Sequence, residues 1–317
     1  MAKVSVIIPT FNRPHLLPRA VRSAQQAGHD VEVIVVDDAS VDETASVCRA
    51  LTGIKYARVD RNQGVAGARN IGLLESSSDY IAFLDDDDLR IPGSLDRQLI
   101  LLENAPEAGF VASGVMLADQ DCVPTGEVAT PQANSGDLFW KVLELKLFLL
   151  PASVLVRKSC FFEAGIFNKC LAGIDDWDMW TRIAELRPIV IDDQPVSIYR
   201  CPTPESQQGS SASAKHLFAA VRGQKRLLSL PRAQNAPLSL RRALRKSLKR
   251  SIADTLSWRA AEQLPHGSFR YAATNITTAL RISPRWAARP THFRVLCKSA
   301  TAQFQNWRRR HGTTTSG

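Results

Sequence analysis

The 317 residues, 44% of them hydrophobic and 22% charged, suffice for one large α/β domain and a smaller appendage. No apolar stretch reaches the roughly 20 residues of a membrane-spanning helix, the run at residues 4–8 is too short for a signal peptide core, and the six scattered cysteines form no CxxC pair. We therefore expect a cytoplasmic protein with neither a disulfide framework nor a zinc site.

The first half of the chain alternates between strand and helix patterns. Apolar, β-branched runs predict strands at residues 4–8, 31–36, 54–59 and 80–84. Helical spacing of apolar residues predicts helices at residues 14–27, 42–51 and 65–75 and one that opens near Pro92. This alternation predicts an α/β fold with a mostly parallel central sheet, in which ligands bind beyond the carboxyl ends of the strands.

The pattern is looser after residue 110. We predict strands at residues 110–115, 152–156 and 196–199, a helix at 177–186 and a long loop at 119–137. Residues 201–317 carry 21 Lys and Arg but 3 Asp and Glu, whereas the first 200 residues carry 19 basic and 28 acidic ones. We therefore predict a catalytic domain over residues 1–200 and a basic helical region over 201–317, joined by a linker at about 202–213.

Four consecutive carboxylates, Asp85–Asp88, follow the fourth predicted strand. Adjacent carboxylates repel one another, and a hard divalent cation such as Mg²⁺ or Mn²⁺ is the usual compensation. Because side chains alternate along a strand, Asp85 and Asp87 can face the same way. A solvated acidic turn is the alternative, which a buried strand running directly into the cluster makes less favourable.

Polar residues also follow the first and second strands. Arg13 can approach a phosphate, and Asp37 or Asp38 can accept hydrogen bonds from a base or a ribose, although a helix N-terminal turn explains this Asp pair equally well. The glycines of residues 62–70 let the backbone approach a ligand closely. Asp175 and Asp176 open a later helix, where Asp175 is either a helix cap or part of a general-base motif.

These motifs, in this order, resemble the family 2 glycosyltransferases of GT-A fold over about residues 3–200. The resemblance rests on five segments: residues 4–13, 36–40, 62–70, 83–88 and 175–180. It implies that Asp85 and Asp87 form the DxD pair, with Asp87 the direct metal ligand, and that Asp176 is the catalytic base. It implies a donor-binding set consisting of Thr10, Asn12, Arg13, Asp38, Arg69, Asp86, Asp175, Trp177 and Arg200.

The family reaction inverts the anomeric centre, so the resemblance implies transfer of a sugar from a UDP- or dTDP-linked donor to a glycan or lipid-linked acceptor. It places the chain in cell-surface polysaccharide or glycolipid synthesis. The Glu of the family's ED motif is Asp175 here, and the Gln-x-x-Arg-Trp signature of processive synthases is absent, which favours addition of single sugars. A sugar-phosphate nucleotidyltransferase and a non-catalytic nucleotide-sugar-binding module are the alternatives.

The basic region contains an amphipathic pattern. Apolar residues recur every four positions, at Leu240, Leu244, Leu248, Ile252 and Leu256. They are interleaved with Arg241, Arg242, Arg245, Lys246, Lys249 and Arg250. Such a helix can lie on an anionic membrane surface, and packing of the apolar stripe on the protein with solvated charges is an equal alternative. No recognition motif accompanies the charge, so we expect no nucleic-acid partner.

Overall fold

The computed structural model describes residues 3–171, 173–201, 226–263 and 269–284. The chain divides into two compact units, Met1–Cys201 and Pro202–Gly317. The predicted linker at residues 202–213 lies outside the described residues. The assignment of catalysis to the first unit and of a separate role to the second stays a prediction.

The first unit contains one nine-stranded sheet. Its strands are β1 Val4–Thr10, β2 Val31–Asp37, β3 Ile54–Arg58, β4 Tyr80–Phe83, β5 Leu89–Arg90, β6 Phe110–Ala118, β7 Pro124–Ala129, β8 Val154–Arg157 and β9 Ile189–Arg200. Their order is β3-β2-β1-β4-β8-β6-β9-β5, with β7 paired to β6. The longest pairings, β1 with β2 and β6 with β9, are parallel, whereas β8 runs antiparallel to both β4 and β6. The predicted α/β fold with a mostly parallel sheet is confirmed.

Helices connect the strands. They are α1 Leu17–Gln25, α2 Thr44–Ala50, α3 Gly64–Glu75, α4 Ser94–Glu103, α5 Phe139–Leu143, α6 Ser159–Ala164 and α7 Asp175–Leu186. All seven residues of β1 are buried, because helices cover both of its faces. Val6 and Ile8 belong to the core that includes α1 and α4, while Ile7 packs against Gly72 of α3. A Cβ at Gly72 would lie 2.3 Å from Cγ2 of Ile7, so only glycine permits α3 to approach this closely.

Several elements differ from the predictions. The predicted loop at residues 119–137 contains β7, whose mostly exposed residues pair with β6 at the sheet edge and therefore lack an apolar pattern. The predicted strand at 152–156 begins with a 3-10 turn at Pro151–Ser153, and the last strand starts at Ile189 rather than at residue 196. The sequence pattern missed β5, α5 and α6, which have two, five and six residues and are too short to show a period.

The described part of the second unit is helical, with α8 Pro231–Gln234, α9 Leu238–Gln263 and α10 Phe269–Ile282. The predicted basic helical C-terminal region is therefore confirmed. Four residues of the predicted apolar stripe on α9 are buried, namely Leu244, Leu248, Ile252 and Leu256, and α9 packs against α10. Arg242, Arg245, Lys246, Lys249 and Arg250 are exposed. Among the residues that the structure describes, no helix combines the length and apolar character needed to cross a membrane.

Candidate active site

Polar side chains from five elements meet beyond the carboxyl ends of β1, β2 and β4. Thr10 ends β1, Asp37 ends β2, and the acidic turn Asp85–Asp88 follows β4. Arg69 reaches this region from α3 and Asp175 from the first turn of α7. Two parallel strand pairings, β1 with β2 and β1 with β4, align these strand ends at one edge of the sheet.

The acidic turn does not continue the strand. β4 ends at Phe83, and the chain closes a turn in which the Asp88 N–H donates to the Asp85 carbonyl at 3.1 Å. Strand alternation therefore does not apply here, and the turn sets the direction of each carboxylate. Asp86 and Asp87 share one guanidinium, that of Arg13, whereas Asp85 contacts Arg69.

Asp86 lies in the centre of a buried polar cluster. The Thr10 hydroxyl donates to its Oδ2 at 2.7 Å, and Arg13 Nη1 donates to its Oδ1 at 2.8 Å and to Asp87 Oδ2 at 2.9 Å. Burial raises the pKa of Asp86 to about 7, an effect that Arg13 opposes and the neighbouring charge of Asp87 reinforces. Burial also raises the pKa of Asp87. Of the predicted donor-binding residues, Thr10 and Arg13 thus both contact Asp86.

Arg69 joins two acidic segments. Its Nη2 donates to Asp85 at 2.8 Å and its Nη1 donates to Asp175 at 2.9 Å, while its guanidinium stacks over Phe167 with 5.7 Å to the ring centroid. Burial disfavours the charged guanidinium, but Asp85 and Asp175 outweigh that effect and raise the pKa of Arg69. The Asp85 side chain is 38% exposed and that of Asp175 only 3%, so Asp85 is the more accessible carboxylate to a ligand.

Asp176 is the predicted base, and its surroundings suit that role. Burial, together with the charge of Asp175, raises the pKa of Asp176 to about 7, although Arg69 acts in the opposite direction. Its Oδ1 accepts the N–H of Trp177 at 2.7 Å, and its side chain remains partly accessible. Trp177, predicted to contact substrate, is buried, and its indole N–H donates to the Val142 carbonyl at 2.8 Å.

Two predicted nucleotide-binding residues shape the loops around the site. Asp38 Oδ1 accepts the N–H of Gln63 at 2.6 Å, which fastens the end of β2 to the start of α3. Burial raises the pKa of Asp38, and backbone N–H groups partly offset that rise. Asn12, at a left-handed φ of 53°, accepts the N–H of Val41 at 2.9 Å. Both side chains thus organise the loops that follow β1 and β2.

The structure brings three residues into this region that the implied donor-binding set leaves out. Asp37 is fully buried and accepts hydrogen bonds from the Ser40 N–H and the Tyr56 hydroxyl. Asn70 both donates to and accepts from the backbone of Phe167 at 2.9 Å, which holds the loop that leads to α7. Asp88 contacts the last residue of β9. Only the acidic run itself signalled Asp88, while Tyr56 and Phe167, which contact Asp37 and Asn70, are distant in sequence.

Arg200, the last residue of β9, is also brought to the acidic turn. Its Nη1 lies 3.7 Å from Asp87 Oδ2, and its backbone N–H donates to Asp88 Oδ1 at 2.9 Å. Two guanidinium groups, those of Arg13 and Arg200, therefore flank Asp87. Guanidinium groups can approach phosphate oxygens through paired hydrogen bonds.

The carboxylates of the acidic turn are the candidate ligands for a divalent cation. Within the described residues, no group of three or more His, Cys, Asp or Glu side chains is arranged to hold a metal by itself. A Mg²⁺ or Mn²⁺ ion that is held by one or two carboxylates plus substrate phosphates needs no such group. Asp85 is partly open to a ligand, and repulsion within the acidic turn favours a bound cation, so Asp85 and Asp87 fit an ion brought with the donor.

Comparison with known families gives a consistent result. The family described as Glycosyl transferase family 2 matches residues 5–127. A Campylobacter jejuni protein named GalNAc(5)-diNAcBac-PP-undecaprenol beta-1,3-glucosyltransferase is 46% identical over 127 residues, which cover 38% of this chain and 40% of that protein. An uncharacterized glycosyltransferase of Haemophilus influenzae is 26% identical over 185 residues, 57% of this chain and 62% of that protein. The chain thus spans less than two thirds of the length of these curated relatives.

Solved structures resemble the chain in fold. TarS 1-349 of S. aureus in complex with UDP-GlcNAc has a TM-score of 0.59 at 15% identity. The match covers 90% of this chain and 92% of the TarS chain. Mannosyltransferase PcManGT from Pyrobaculum calidifontis, in complex with GDP-Man and Mn²⁺, has a TM-score of 0.51 at 19% identity. That match covers 96% of this chain and 87% of the PcManGT chain. The family match shows that residues 5–127 are similar to family 2 glycosyltransferases, and the likenesses to solved structures show that the chain has the GT-A fold.

Proposed function

We propose that this chain is an inverting, metal-dependent glycosyltransferase that moves one sugar from a UDP- or dTDP-linked donor to an acceptor hydroxyl. The observation that carries the proposal is the bridge formed by Arg69, which holds the acidic turn at Asp85 and the base-bearing helix at Asp175. A metal-binding carboxylate and a candidate base are thereby kept close to each other on separate segments. In a metal-dependent transfer, the cation offsets the charge of the leaving diphosphate and the base takes the acceptor proton.

In this proposal Asp85 and Asp87 hold Mn²⁺ or Mg²⁺ together with the donor diphosphate. A bound divalent cation would neutralise the charge that develops on the leaving diphosphate. Arg13 and Arg200 both lie beside Asp87 and contribute further positive charge to the same phosphates. Thr10 and Asp86 keep Arg13 in place through the hydrogen bonds of the buried cluster.

Asp176 is proposed to take the proton from the acceptor hydroxyl as its oxygen attacks the anomeric carbon. A pKa of about 7 gives a carboxylate that is largely ionised slightly above neutral pH and is still a better proton acceptor than an ordinary aspartate. Asp175 and Trp177 hold the start of α7, through Arg69 and through the Val142 carbonyl. Displacement in one step would invert the configuration of the transferred sugar.

The nucleoside is proposed to rest on the loops after β1 and β2. Asn12 and Asp38 shape these loops through the N–H groups of Val41 and Gln63. The relatives support a nucleotide-sugar donor, since TarS is named in complex with UDP-GlcNAc and PcManGT in complex with GDP-Man and Mn²⁺. The Campylobacter jejuni relative, whose name includes a PP-undecaprenol acceptor, supports a lipid-linked or glycan acceptor in cell-surface polysaccharide or glycolipid synthesis.

We further propose that the protein acts on the cytoplasmic side of a membrane, where α9 contacts the anionic surface. The support is the exposed row of basic residues on α9, since the described part of this helix contains few acidic residues that could offset their charge. Because the apolar stripe is buried, the contact would be electrostatic rather than an insertion of leucines into the lipid.

A donor screen tests the proposed activity. The protein is incubated with Mn²⁺, an undecaprenyl-diphosphate-linked glycan and each of several UDP-, dTDP- and GDP-sugars, and the released nucleotide is identified. We expect a nucleoside diphosphate and a lengthened glycan. In a parallel incubation that supplies a nucleoside triphosphate and a sugar phosphate instead, release of pyrophosphate would indicate a nucleotidyltransferase. Donor binding with no turnover on any acceptor would indicate a binding module.

A further inference from the structure

The fourth carboxylate of the acidic turn, Asp88, has no part in the proposed metal and base roles. It is 2% exposed and follows the turn directly. Its Oδ1 accepts the backbone N–H of Arg200 at 2.9 Å. Burial of a carboxylate is unfavourable unless the carboxylate is hydrogen-bonded, so this contact with the end of β9 offsets part of the cost of burying Asp88.

A second residue holds Arg200 from the other side. The backbone carbonyl of Gln120, in the hairpin between β6 and β7, accepts Arg200 Nε at 2.8 Å. The side-chain amide of Gln120 donates to the carbonyl of Cys201, the next residue of the chain. Gln120 therefore fixes both the guanidinium of Arg200 and the backbone that follows it.

These contacts restrict the direction in which the guanidinium of Arg200 points. With its backbone N–H bound by Asp88 and its Nε bound by Gln120, the Nη1 atom lies 3.7 Å from Asp87 Oδ2. A long side chain that is ordered before the ligand arrives loses less rotamer freedom on binding. Arg200 is thus held in advance beside the carboxylate to which a metal and a diphosphate would come.

We propose that Asp88 and Gln120 are positioning residues that hold Arg200 for the β-phosphate of the donor. This inference rests on the proposed function, because it requires a diphosphate at Asp87. It assigns to Asp88 a hydrogen-bonding role at the end of β9 and no role as a ligand of the metal.

The test compares binding of UDP and UMP, each with Mn²⁺, by calorimetry, with dTDP and dTMP used if the protein prefers that base. Asp88→Ala removes the acceptor for the Arg200 N–H, and UDP affinity should fall about ten-fold, the loss expected for one buried hydrogen bond to a functional group. UMP lacks the β-phosphate, so its affinity should not change. Asp88→Asn keeps an acceptor oxygen without the charge and should bind UDP within about three-fold of the unmodified protein.

Two further variants separate positioning from other effects. In an Arg200→Ala background, Asp88→Ala should cause no additional loss of UDP affinity, because the residue that it positions is already gone. Gln120→Glu, which cannot donate to the Cys201 carbonyl, should reproduce the selective loss of UDP affinity even where Asp88→Ala does not fold. Asp193→Ala, an exposed aspartate on the same strand, is the matched control and should leave both affinities unchanged.

Several results would overturn the inference. If Asp88→Asn weakens UDP binding as much as Asp88→Ala, the charge rather than the hydrogen bond is required, and Asp88 acts on the metal. If UMP affinity falls in parallel with UDP affinity in Asp88→Ala and in Gln120→Glu, the contacts are merely structural. If the unmodified protein binds neither nucleotide, the donor site itself is wrong, a result that precedes and differs from any failure of the variants.

Discussion

Arg69 and Asp175 form a buried ion pair in which Nη1 of the guanidinium lies 2.9 Å from Oδ2 of the carboxylate. The other terminal nitrogen of the same guanidinium contacts Asp85 at 2.8 Å. One cation thereby compensates two carboxylates that come from separate loops, and the pair is shielded from water. Its removal should therefore affect stability as well as activity.

Arg69→Met should lower the free energy of unfolding by about 3–5 kcal/mol, because it leaves the Asp175 carboxylate buried without a cation. Urea unfolding at neutral pH measures this change. The control is Arg187→Met, which breaks the surface pair between Arg187 and Glu163, whose side chains are 40% and 36% exposed. That variant should lose at most about 1 kcal/mol. Similar small losses in both variants would contradict a structural role for Arg69.

Metal removal should abolish transfer. EDTA should stop product formation and added Mn²⁺ or Mg²⁺ should restore it, because the proposed mechanism has a cation at Asp85 and Asp87 neutralise the donor diphosphate. Asp87→Asn should lose most of its activity, whereas the exposed Asp193→Asn should not, and circular dichroism should show that both remain folded. Full activity in EDTA would refute the proposed role of the acidic turn.

The rate should depend on pH through Asp176. A general base acts only when it is deprotonated, so turnover should rise with pH through about 7 and level off above it. Asp176→Asn should lower turnover by roughly 10²-fold or more and remove this rise, with little change in nucleotide affinity. If the same rise persists in the residual activity of the variant, another group titrates, and Asp86, whose pKa is also raised to about 7, is the first to test.

Stability without metal or donor should change with pH in the opposite direction. Asp86 and Asp176 have folded-state pKa values of about 7, above the ordinary 3.8, so the folded protein binds more protons than the unfolded chain between these values. Their contribution to the free energy of unfolding is therefore greatest at low pH and declines as pH rises towards 7. The Asp86→Asn, Asp176→Asn double variant should decline less over this window in urea titrations. An identical decline in both proteins would show that these pKa values are not raised.

The basic surface of α9 should bind anionic vesicles. Replacement of its exposed Arg and Lys residues by Gln should release the protein from vesicles that contain phosphatidylglycerol without lowering its melting temperature. Binding should weaken with salt, since each basic residue near the surface contributes about 1 kcal/mol and is screened. Leu248→Asp, at a fully buried position, should instead destabilise the second unit. Equal sedimentation with neutral and anionic vesicles would contradict the proposal.

Much of the fold could be predicted because the signals were local. The buried runs of β1 and β2 and the helical spacing of α1 each lie within one short segment, and their order leads to the parallel half of the sheet. β7 could not be predicted, because its exposed residues are held by backbone pairing with β6 rather than by an apolar pattern. Pairing partners distant in sequence leave no local signal.

The sequence indicated which residues gather around the acidic turn better than it indicated which atoms they contact. The acidic run, Arg13 and Asp176 are recognisable as motifs, and the structure brings the first two into direct contact. The direction of each carboxylate depends on the turn after β4, which strand periodicity does not describe. Asp38 and Asn12 were predicted to contact the nucleotide, and in the structure both side chains accept backbone N–H groups of adjoining loops. Such loop contacts depend on tertiary structure.

The close approach of α3 to β1 has a consequence for mutational screens. A methyl group at Gly72 would lie 2.3 Å from Ile7, and relief of that overlap requires α3 to move outward by on the order of 1 Å. Arg69 lies one helical turn earlier and would be carried with it, away from both of its carboxylates. In a library selected for transfer activity, Gly72 should therefore be as intolerant as Asp87, although it contacts no substrate. Depletion of substitutions at Gly72 would show that activity requires α3 to pack closely on β1, not that Gly72 takes part in the chemistry.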